Sequence, residues 1–245
     1  MLRAVVFDLG GTLLQYESAT ADLLELNRQG FISVYHYLLA NGKVRLTETT
    51  FLETVVSRAR ADWHAAETSL RGMKLEASLK TAMEDWGVSM SEAEWLEARR
   101  AFFEPIQRAV TPRAGARYTL QALKDRGMIL GLLSNTSWGG DIHDADLARF
   151  DLLDLLPIRL YSCDIGWLKP HPAAFRMALA ALGVRPNETV YVGDRLKLEI
   201  EPARQIGLWG VLIKIPYRLE QSKDIMPDAV IAELPELVKL LERRR

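Results

Sequence analysis

Short apolar runs alternate with segments of helical periodicity along the chain from Tyr118 onward. Four runs predict strands and a fifth, weaker run predicts one more, over residues 128–133, 158–161, 189–192, 209–213 and 229–231. Three segments between them predict helices that end at a glycine, over residues 116–126, 172–182 and 198–206. With a first buried strand at Val5, Val6 and Phe7, this alternation predicts an α/β core with a doubly wound, Rossmann-like parallel sheet.

The region from about residue 19 to residue 103 has a different pattern, with long amphipathic stretches and almost no alternation of β-branched residues. It predicts four helices, over residues 23–40, 49–64, 75–86 and 91–103, with Gly42, Gly72 and Gly87 between them. Pro105 and Pro112 mark the predicted return to the core. We therefore predict a core domain of residues 1–16 and 108–245 and an inserted helical cap domain of residues 17–107.

The position of the insert suggests a role for it. A helical insert after the first strand can lie over the carboxyl ends of the strands, where doubly wound folds bind ligands. The alternative is a second structural lobe that takes no part in substrate handling.

Composition and charge indicate which classes of binding partner to expect. The 245 residues carry a formal net charge of -1, and their basic residues are scattered except for a terminal run, Arg243 to Arg245, interpreted as a solvated helix end. We therefore expect no nucleic-acid partner. The single cysteine, Cys163, excludes an intramolecular disulfide, and the apolar run before Asp8 is too short to span a membrane. These features predict a cytoplasmic protein without a membrane partner.

Polar residues follow the predicted strands at the points where the strands end. Asp8 follows the first strand, Ser134 and Asn135 follow the second, Lys169 lies beyond the third, and Gly193 and Asp194 follow the fourth. Parallel strands bring such residues to one edge of the sheet. A nucleophilic carboxylate, a hydroxyl, a cation and a second carboxylate suit phosphoryl transfer, with Mg²⁺ to neutralise the approaching anions. Taken singly, Asp8 is as well interpreted as a turn or capping residue as a catalyst. Taken singly, Ser134 and Asn135 are better interpreted as turn residues, and Lys169 as a solvated loop lysine.

Four ordered segments resemble the motifs of the haloacid dehalogenase superfamily. They are Val5-Val6-Phe7-Asp8-Leu9-Gly10-Gly11-Thr12-Leu13, Leu132-Leu133-Ser134-Asn135, Lys169-Pro170-His171-Pro172 and Val192-Gly193-Asp194. The resemblance implies a doubly wound core with a small helical cap. It also implies that Asp8 becomes an aspartyl-phosphate, that Ser134 and Lys169 bind phosphate, and that Thr12 and Asn135 assist in substrate binding. The implied Mg²⁺ ligands are Asp8, the main-chain carbonyl of Gly10 and Asp194.

The chain departs from the superfamily pattern at three positions. Gly10 stands where its phosphatases usually carry an aspartate that acts as general acid and base, and loss of such a group costs about 10²–10⁴-fold in rate. Glu199 matches a second acidic residue of the last motif; it is either a neighbour of the metal and Lys169 or an ordinary carboxylate at a helix start. Arg195 replaces a small hydroxyl residue and either contacts phosphate or points outward.

These observations predict a Mg²⁺-dependent phosphohydrolase that acts on a small phosphorylated metabolite through an aspartyl-phosphate on Asp8. The alternative is a catalytically degenerate member that binds a phosphorylated ligand or a protein partner without efficient turnover, because Gly10 replaces the acid and base. Dehalogenation fits poorly, because the superfamily's dehalogenases carry an aromatic hydroxyl two residues after the nucleophile, where this chain has Gly10.

Overall fold

Eight strands form two sheets in the computed structural model, which describes residues 1–16, 23–215 and 222–243. In chain order the strands are β1 (Ala4–Phe7), β2 (Leu14–Gln15), β3 (Thr111–Pro112), β4 (Ile129–Ser134), β5 (Ile158–Tyr161), β6 (Thr189–Gly193), β7 (Trp209–Ile213) and β8 (Ala229–Ile231). Six of them form a parallel sheet in the order β5-β4-β1-β6-β7-β8, and β2 pairs with β3 as a separate antiparallel ribbon. The predicted parallel α/β core is confirmed, with strand bounds that agree to within one residue.

Ten α-helices lie within the described residues. They are α1 (Leu23–Ala40), α2 (Glu48–Ser69), α3 (Leu75–Asp85), α4 (Glu92–Ala109), α5 (Ala116–Asp125), α6 (Gly140–Arg149), α7 (Ser162–Ile165), α8 (Pro172–Leu182), α9 (Glu201–Gln205) and α10 (Leu234–Glu242). Gly127, Gly183 and Gly207 each adopt a positive φ near the ends of α5, α8 and α9, as predicted, because glycine enters the left-handed region without steric cost. Within the described part of the chain, no helix is long and apolar enough to cross a membrane.

The chain divides into two compact units. The core unit comprises Met1–Gln15, Leu70–Gly72 and Thr111–Arg245, and the helical unit comprises Tyr16–Ser69 and Met73–Val110. The three residues Leu70–Gly72 lie in the middle of the predicted insert but belong to the core unit. There the main-chain N–H of Leu168 donates to Leu70 O at 3.0 Å. A Cβ on Gly72 would lie 1.8 Å from Ser162 O, so this close approach requires glycine.

Aromatic side chains fill the interior of the helical unit. The ring of Phe31 meets Phe102 at 4.9 Å between centroids, and Phe51 meets Tyr35 at 5.4 Å and Trp86 at 5.5 Å. Ser91 and Glu94 form a reciprocal capping box at the start of α4, which satisfies N–H groups that the first turn leaves without partners.

The return to the core was predicted at Pro105 and Pro112, and the core unit resumes between them, at Thr111, although α4 runs through Pro105 to Ala109. Phe102, Phe103 and Ile106 are buried along one stripe of this helix. Burial of that stripe outweighs the single main-chain hydrogen bond that proline cannot donate.

Strand order determines where the polar motif residues emerge. The fully buried strand β1 lies between β4 and β6, and Phe7 is in register with Leu132 on one side and Val192 on the other. The chain passes to opposite sides of β1 as it continues, so β1 lies at the switch point of the sheet, where doubly wound folds form their ligand crevice. Asp8, Ser134 and Asp194 consequently leave the sheet at the same edge.

Candidate active site

Asp8 begins a compact turn at the carboxyl end of β1. Its main-chain N–H donates to Val192 O at 2.9 Å, and its residue surface is only 6% exposed. The N–H groups of Leu13 and Leu14 both donate to Leu9 O at 2.9 Å, and these bonds close the turn of residues 9–14, which we call the first turn. Hydrogen bonds therefore fix the main chain on both sides of the Asp8 carboxylate.

Gly11 gives the first turn its shape. Its φ is +92°, and a Cβ at this position would lie 2.6 Å from Ile215 Cδ1 and 3.1 Å from Asp194 Oδ2. A side chain here would be strained and would press against the carboxylate of Asp194. The second glycine of the motif is thus required by the close approach of the first turn to Asp194.

Lys169 connects the charged groups at this edge of the sheet. Its buried ammonium donates to Asp8 Oδ1 at 2.6 Å, to Glu199 Oε1 at 2.5 Å and to the hydroxyl of Tyr191 at 3.0 Å. An ammonium has three donors, and the three acceptors match that number. Lys169 therefore pairs with the predicted nucleophile, Asp8, and with Glu199 at the same time.

Tyr191 was not predicted as a site residue. It is fully buried within β6, and in the sequence it reads as one more apolar residue of a strand. Burial raises the pKa of its phenol well above the ordinary value, against the opposing effect of Lys169, so the hydroxyl stays neutral. Nothing in the sequence distinguishes Tyr191 from the other buried residues of its strand.

The buried charged groups shift one another's pKa values. Burial by itself would lower the pKa of Lys169, but the carboxylates of Asp8 and Glu199 outweigh it and hold the pKa well above its ordinary value. Burial raises the pKa of Glu199 to about 8, and the charge of Asp8 acts in the same direction against the attraction of Lys169. Burial and Asp8 therefore disfavour the charged form of Glu199, whereas Lys169 favours it.

Three buried carboxylates offer a site for a metal ion. Asp8, Asp194 and Glu199 each place one oxygen so that the three atoms lie within 4.8 Å of one another. Three carboxylates and the one ammonium of Lys169 leave an excess of negative charge in a buried place, which a divalent cation would balance. Carboxylate oxygens are also the ligands that Mg²⁺ prefers. These residues fit a Mg²⁺ ion.

Glu199 reaches the site from an irregular helix. The prediction placed a helix over residues 198–206, whereas the chain forms a π-helix over Leu196–Ile200 and then α9. The N–H of Arg195 donates to Glu199 Oε2 at 3.0 Å, and a Cβ on Gly193 would lie 2.2 Å from that same oxygen. The glycine of the last motif therefore makes room for the glutamate.

The remaining predicted residues occupy varied surroundings. The side-chain amide of Asn135 donates to Lys169 O and accepts from Lys169 N, both at 2.7 Å, so it fixes the loop that carries Lys169.

Ser134 is buried at the end of β4. The hydroxyl of Thr12 is buried without a hydrogen-bond partner among the described residues. Arg195 is half-buried, and Gly10 lies in the first turn opposite Leu14.

A second polar network lies directly after Ser134 and Asn135. Thr136 Oγ1 lies 2.8 Å from His143 Nε2 and accepts from Trp138 N at 2.9 Å. The imidazole of His143 stacks between the rings of Trp138 and Tyr161, and burial lowers its pKa to about 4. No motif in the sequence signalled this network, because its residues come from β5, α6 and the loop between β4 and α6.

Comparison with known proteins settles the family. The haloacid dehalogenase-like hydrolase family matches residues 2–207. The chain belongs to this family. The match runs through all four motifs quoted above, so the resemblance found in the sequence is confirmed.

Two curated relatives of this haloacid dehalogenase-like hydrolase are named as phosphatases. Phosphoserine phosphatase of Thermus thermophilus is 28% identical over an alignment of 250 positions, covering 96% of this chain and 98% of that protein. Glyceraldehyde 3-phosphate phosphatase of Pyrococcus furiosus is 36% identical over 132 residues, covering 53% of this chain and 54% of that protein. The chain thus spans about half the length of the second relative and nearly all of the first.

Solved structures of other haloacid dehalogenase-type proteins share the fold. A phosphatase of this type from Thermococcus onnurineus has a TM-score of 0.65 at 24% identity, over 98% of both chains. A 2-haloacid dehalogenase from Pseudomonas syringae pv. Tomato DC3000 has a TM-score of 0.72 at 23% identity, over 100% of both chains. Because one neighbour is a phosphatase and the other a dehalogenase, the fold does not distinguish between these reactions, and the residues of the site must do so.

Proposed function

We propose that the chain is a Mg²⁺-dependent phosphohydrolase that acts on a small phosphorylated metabolite through an aspartyl-phosphate on Asp8. The observation that carries this proposal is the buried contact of 2.6 Å between Asp8 Oδ1 and Lys169 Nζ, with Asp194 and Glu199 beside it. The names of the relatives support it, since glyceraldehyde 3-phosphate phosphatase and phosphoserine phosphatase both refer to small phosphate esters.

The first half of the reaction transfers the phosphoryl group to Asp8. Lys169 holds Oδ1 and so orients Oδ2 for attack on phosphorus, and a bond forms between Oδ2 and phosphorus as the ester oxygen leaves. The Ser134 hydroxyl donates to one phosphoryl oxygen, and the Lys169 ammonium donates to another by exchanging one of its three present acceptors for it, so both offset the phosphoryl charge. Asn135 keeps Lys169 in place through its main chain. Bound by Asp8, Asp194, Glu199 and the carbonyl of Gly10, Mg²⁺ would supply further positive charge there.

The second half of the reaction releases phosphate. Water attacks phosphorus, the bond to Asp8 breaks, and inorganic phosphate leaves with the Asp8 carboxylate restored. Because Gly10 has no side chain, no carboxylate two residues after Asp8 protonates the leaving oxygen or accepts the proton of the attacking water. Esters with weakly basic leaving groups should therefore react best, and release of phosphate should be the slower half.

The absence of a side chain at Gly10 also supports a second candidate function. A chain that keeps the phosphate-binding residues without the acid and base could bind a phosphorylated ligand or a protein partner and turn over poorly. Such a protein would be stabilised by a phosphate mimic while releasing no phosphate.

A phosphate-release assay on a panel of aryl and alkyl phosphate esters, with and without Mg²⁺, separates the two functions. We expect turnover that requires Mg²⁺ and is lost in Asp8→Asn. The matched control is Asp228→Asn, which removes a carboxylate bonded to Arg204 just before β8, at the amino end of that strand. This variant should keep its activity. Stabilisation by fluoroberyllate without turnover of any ester would favour the binding protein instead.

A further inference from the structure

Arg113 is a buried cation beside the first turn that the proposed chemistry does not use. Its guanidinium donates from Nη1 to Gly11 O at 2.6 Å and from Nη2 to Lys214 O at 2.6 Å and Ala232 O at 3.2 Å. The residue is 9% exposed. Burying a guanidinium costs free energy, and these carbonyl acceptors offset that cost.

The three carbonyls come from separate segments at one edge of the sheet. Gly11 belongs to the first turn after β1, Lys214 follows β7, and Ala232 follows β8. Arg113 itself follows β3, and its main-chain N–H donates to Leu13 O at 2.9 Å, so both its main chain and its side chain contact the first turn. Arginine suits this position, because its planar guanidinium donates in fixed directions from separate nitrogens, whereas a lysine would offer one nitrogen only.

Gly11 joins this contact to the charged cluster. Its carbonyl accepts from Arg113, while its Cα lies against Asp194, since a Cβ there would be 3.1 Å from Asp194 Oδ2. Asp8 is three residues before Gly11 and directly precedes the first turn. A shift of the Gly11 peptide would therefore change the spacing between the first turn and Asp194.

We propose that Arg113 is a positioning residue, whose guanidinium holds the Gly11 carbonyl and so fixes the first turn against Asp194. The effect of Arg113 on the conformation of the first turn follows from these contacts alone. Its effect on the affinity for Mg²⁺ rests also on the proposed function, because Asp8, Gly10 and Asp194 are the ligands that the turn would bring together. Partners that orient metal ligands from outside typically change metal affinity about 10–100-fold when they are removed.

Hydrogen exchange of the metal-free protein tests the claim about the turn. In Arg113→Met we expect the amides of residues 9–14 to exchange about tenfold faster or more, because a hydrogen bond to a charged donor is lost. Arg204→Met is the matched control: its guanidinium also donates to a carbonyl, Met226 O, and to Asp228, but just outside the amino ends of β7 and β8. It should leave exchange in residues 9–14 unchanged. Unchanged exchange in Arg113→Met would overturn the proposal.

Calorimetric titration with Mg²⁺ alone tests the consequence. The dissociation constant of Arg113→Met should rise about 10–100-fold, that of Arg113→Lys should rise less, and that of Arg204→Met should equal the wild type. An unchanged constant in Arg113→Met would make Arg113 a structural contact only. If that variant does not fold, Arg113→Lys decides, and wild-type exchange and affinity there would overturn the proposal. A wild type that binds no Mg²⁺ would defeat the proposed function, while exchange would still decide the role of Arg113.

Discussion

The interiors of the two units are built from different chemistry. The core unit buries a charged cluster, in which Lys169 contacts Asp8 and Glu199. Apart from tyrosines, Ser78 is the one buried polar residue of the helical unit among the described residues. The side chains of the ion pairs in the helical unit are more exposed than those of this cluster, as in Arg58 and Asp85, which are 36% and 62% exposed.

This difference indicates what each unit is built to do. Exposed ion pairs stabilise proteins by roughly 0–1 kcal/mol, so the helical unit depends on its aromatic interior for stability. A buried ion pair gains little over apolar packing, yet removing one partner costs about 3–5 kcal/mol, because it leaves a buried charge without a partner. The core unit therefore gives up apolar packing to hold charges in place, and that arrangement suits chemistry better than stability.

Removal of the buried cation should have the largest effect. We expect Lys169→Met to lower kcat/KM by about 10³-fold, since its ammonium orients Asp8 and would offset phosphoryl charge, and to destabilise the core unit by about 3–5 kcal/mol. Arg58→Met, which breaks an exposed pair of the helical unit, should change stability by less than about 1 kcal/mol and leave kcat/KM as it is. Steady-state kinetics and urea denaturation of both variants give these quantities.

Two outcomes would contradict the expected difference between Lys169→Met and Arg58→Met. Wild-type kinetics in Lys169→Met would remove Lys169 from the site. Equal losses of stability in the two variants would show that the buried pair is no different from a surface pair.

A smaller effect should appear as a pH dependence of stability in the core unit. Burial lowers the pKa of His143 to about 4, while nearby Asp144, Asp141 and Asp164 oppose the shift. The unfolded chain therefore takes up the proton first as the pH falls, so the stability linked to neutral His143 is present above about pH 6.5 and is lost towards pH 4. His143→Gln keeps a polar partner for Thr136 without titrating in this range.

The measurement is the free energy of unfolding of wild type and His143→Gln at a series of pH values. The wild type should lose stability relative to the variant between about pH 6.5 and pH 4. His36→Gln provides the control in the helical unit, because that imidazole is exposed and its removal should change stability little at any pH. A constant difference between wild type and His143→Gln across this window would refute the prediction.

The parts of the fold that the sequence predicted are those with local causes. Apolar runs placed the strands, and glycines with a positive φ ended α5, α8 and α9. The site was predictable in outline, because Asp8, Ser134, Lys169 and Asp194 each follow a strand and parallel strands bring their carboxyl ends together. Their roles in catalysis and binding stay predictions until variants are measured.

The features that escaped prediction depend on contacts between distant segments. Tyr191 looks like one more buried strand residue until Lys169, 22 positions earlier, is placed beside it. Arg113 binds the carbonyl of Gly11 across 102 positions. The π-helix at Leu196–Ile200 arises where Glu199 turns back to the N–H of Arg195, and helical periodicity does not distinguish it from an ordinary first turn.

The central claim is that Asp8 takes the phosphoryl group, and a rapid-quench measurement with an aryl phosphate and Mg²⁺ tests it most directly. Because Gly10 supplies no base for the second half, the account predicts a burst of about one phenolate per active site, then slow turnover, with the phosphoryl group on the peptide that contains Asp8. Asp8→Asn should show no burst, and a folded Gly10→Asp should turn over up to about 10²-fold faster. A burst that persists in Asp8→Asn, or Mg²⁺-dependent turnover with no phosphoryl group ever found on Asp8, would contradict the account.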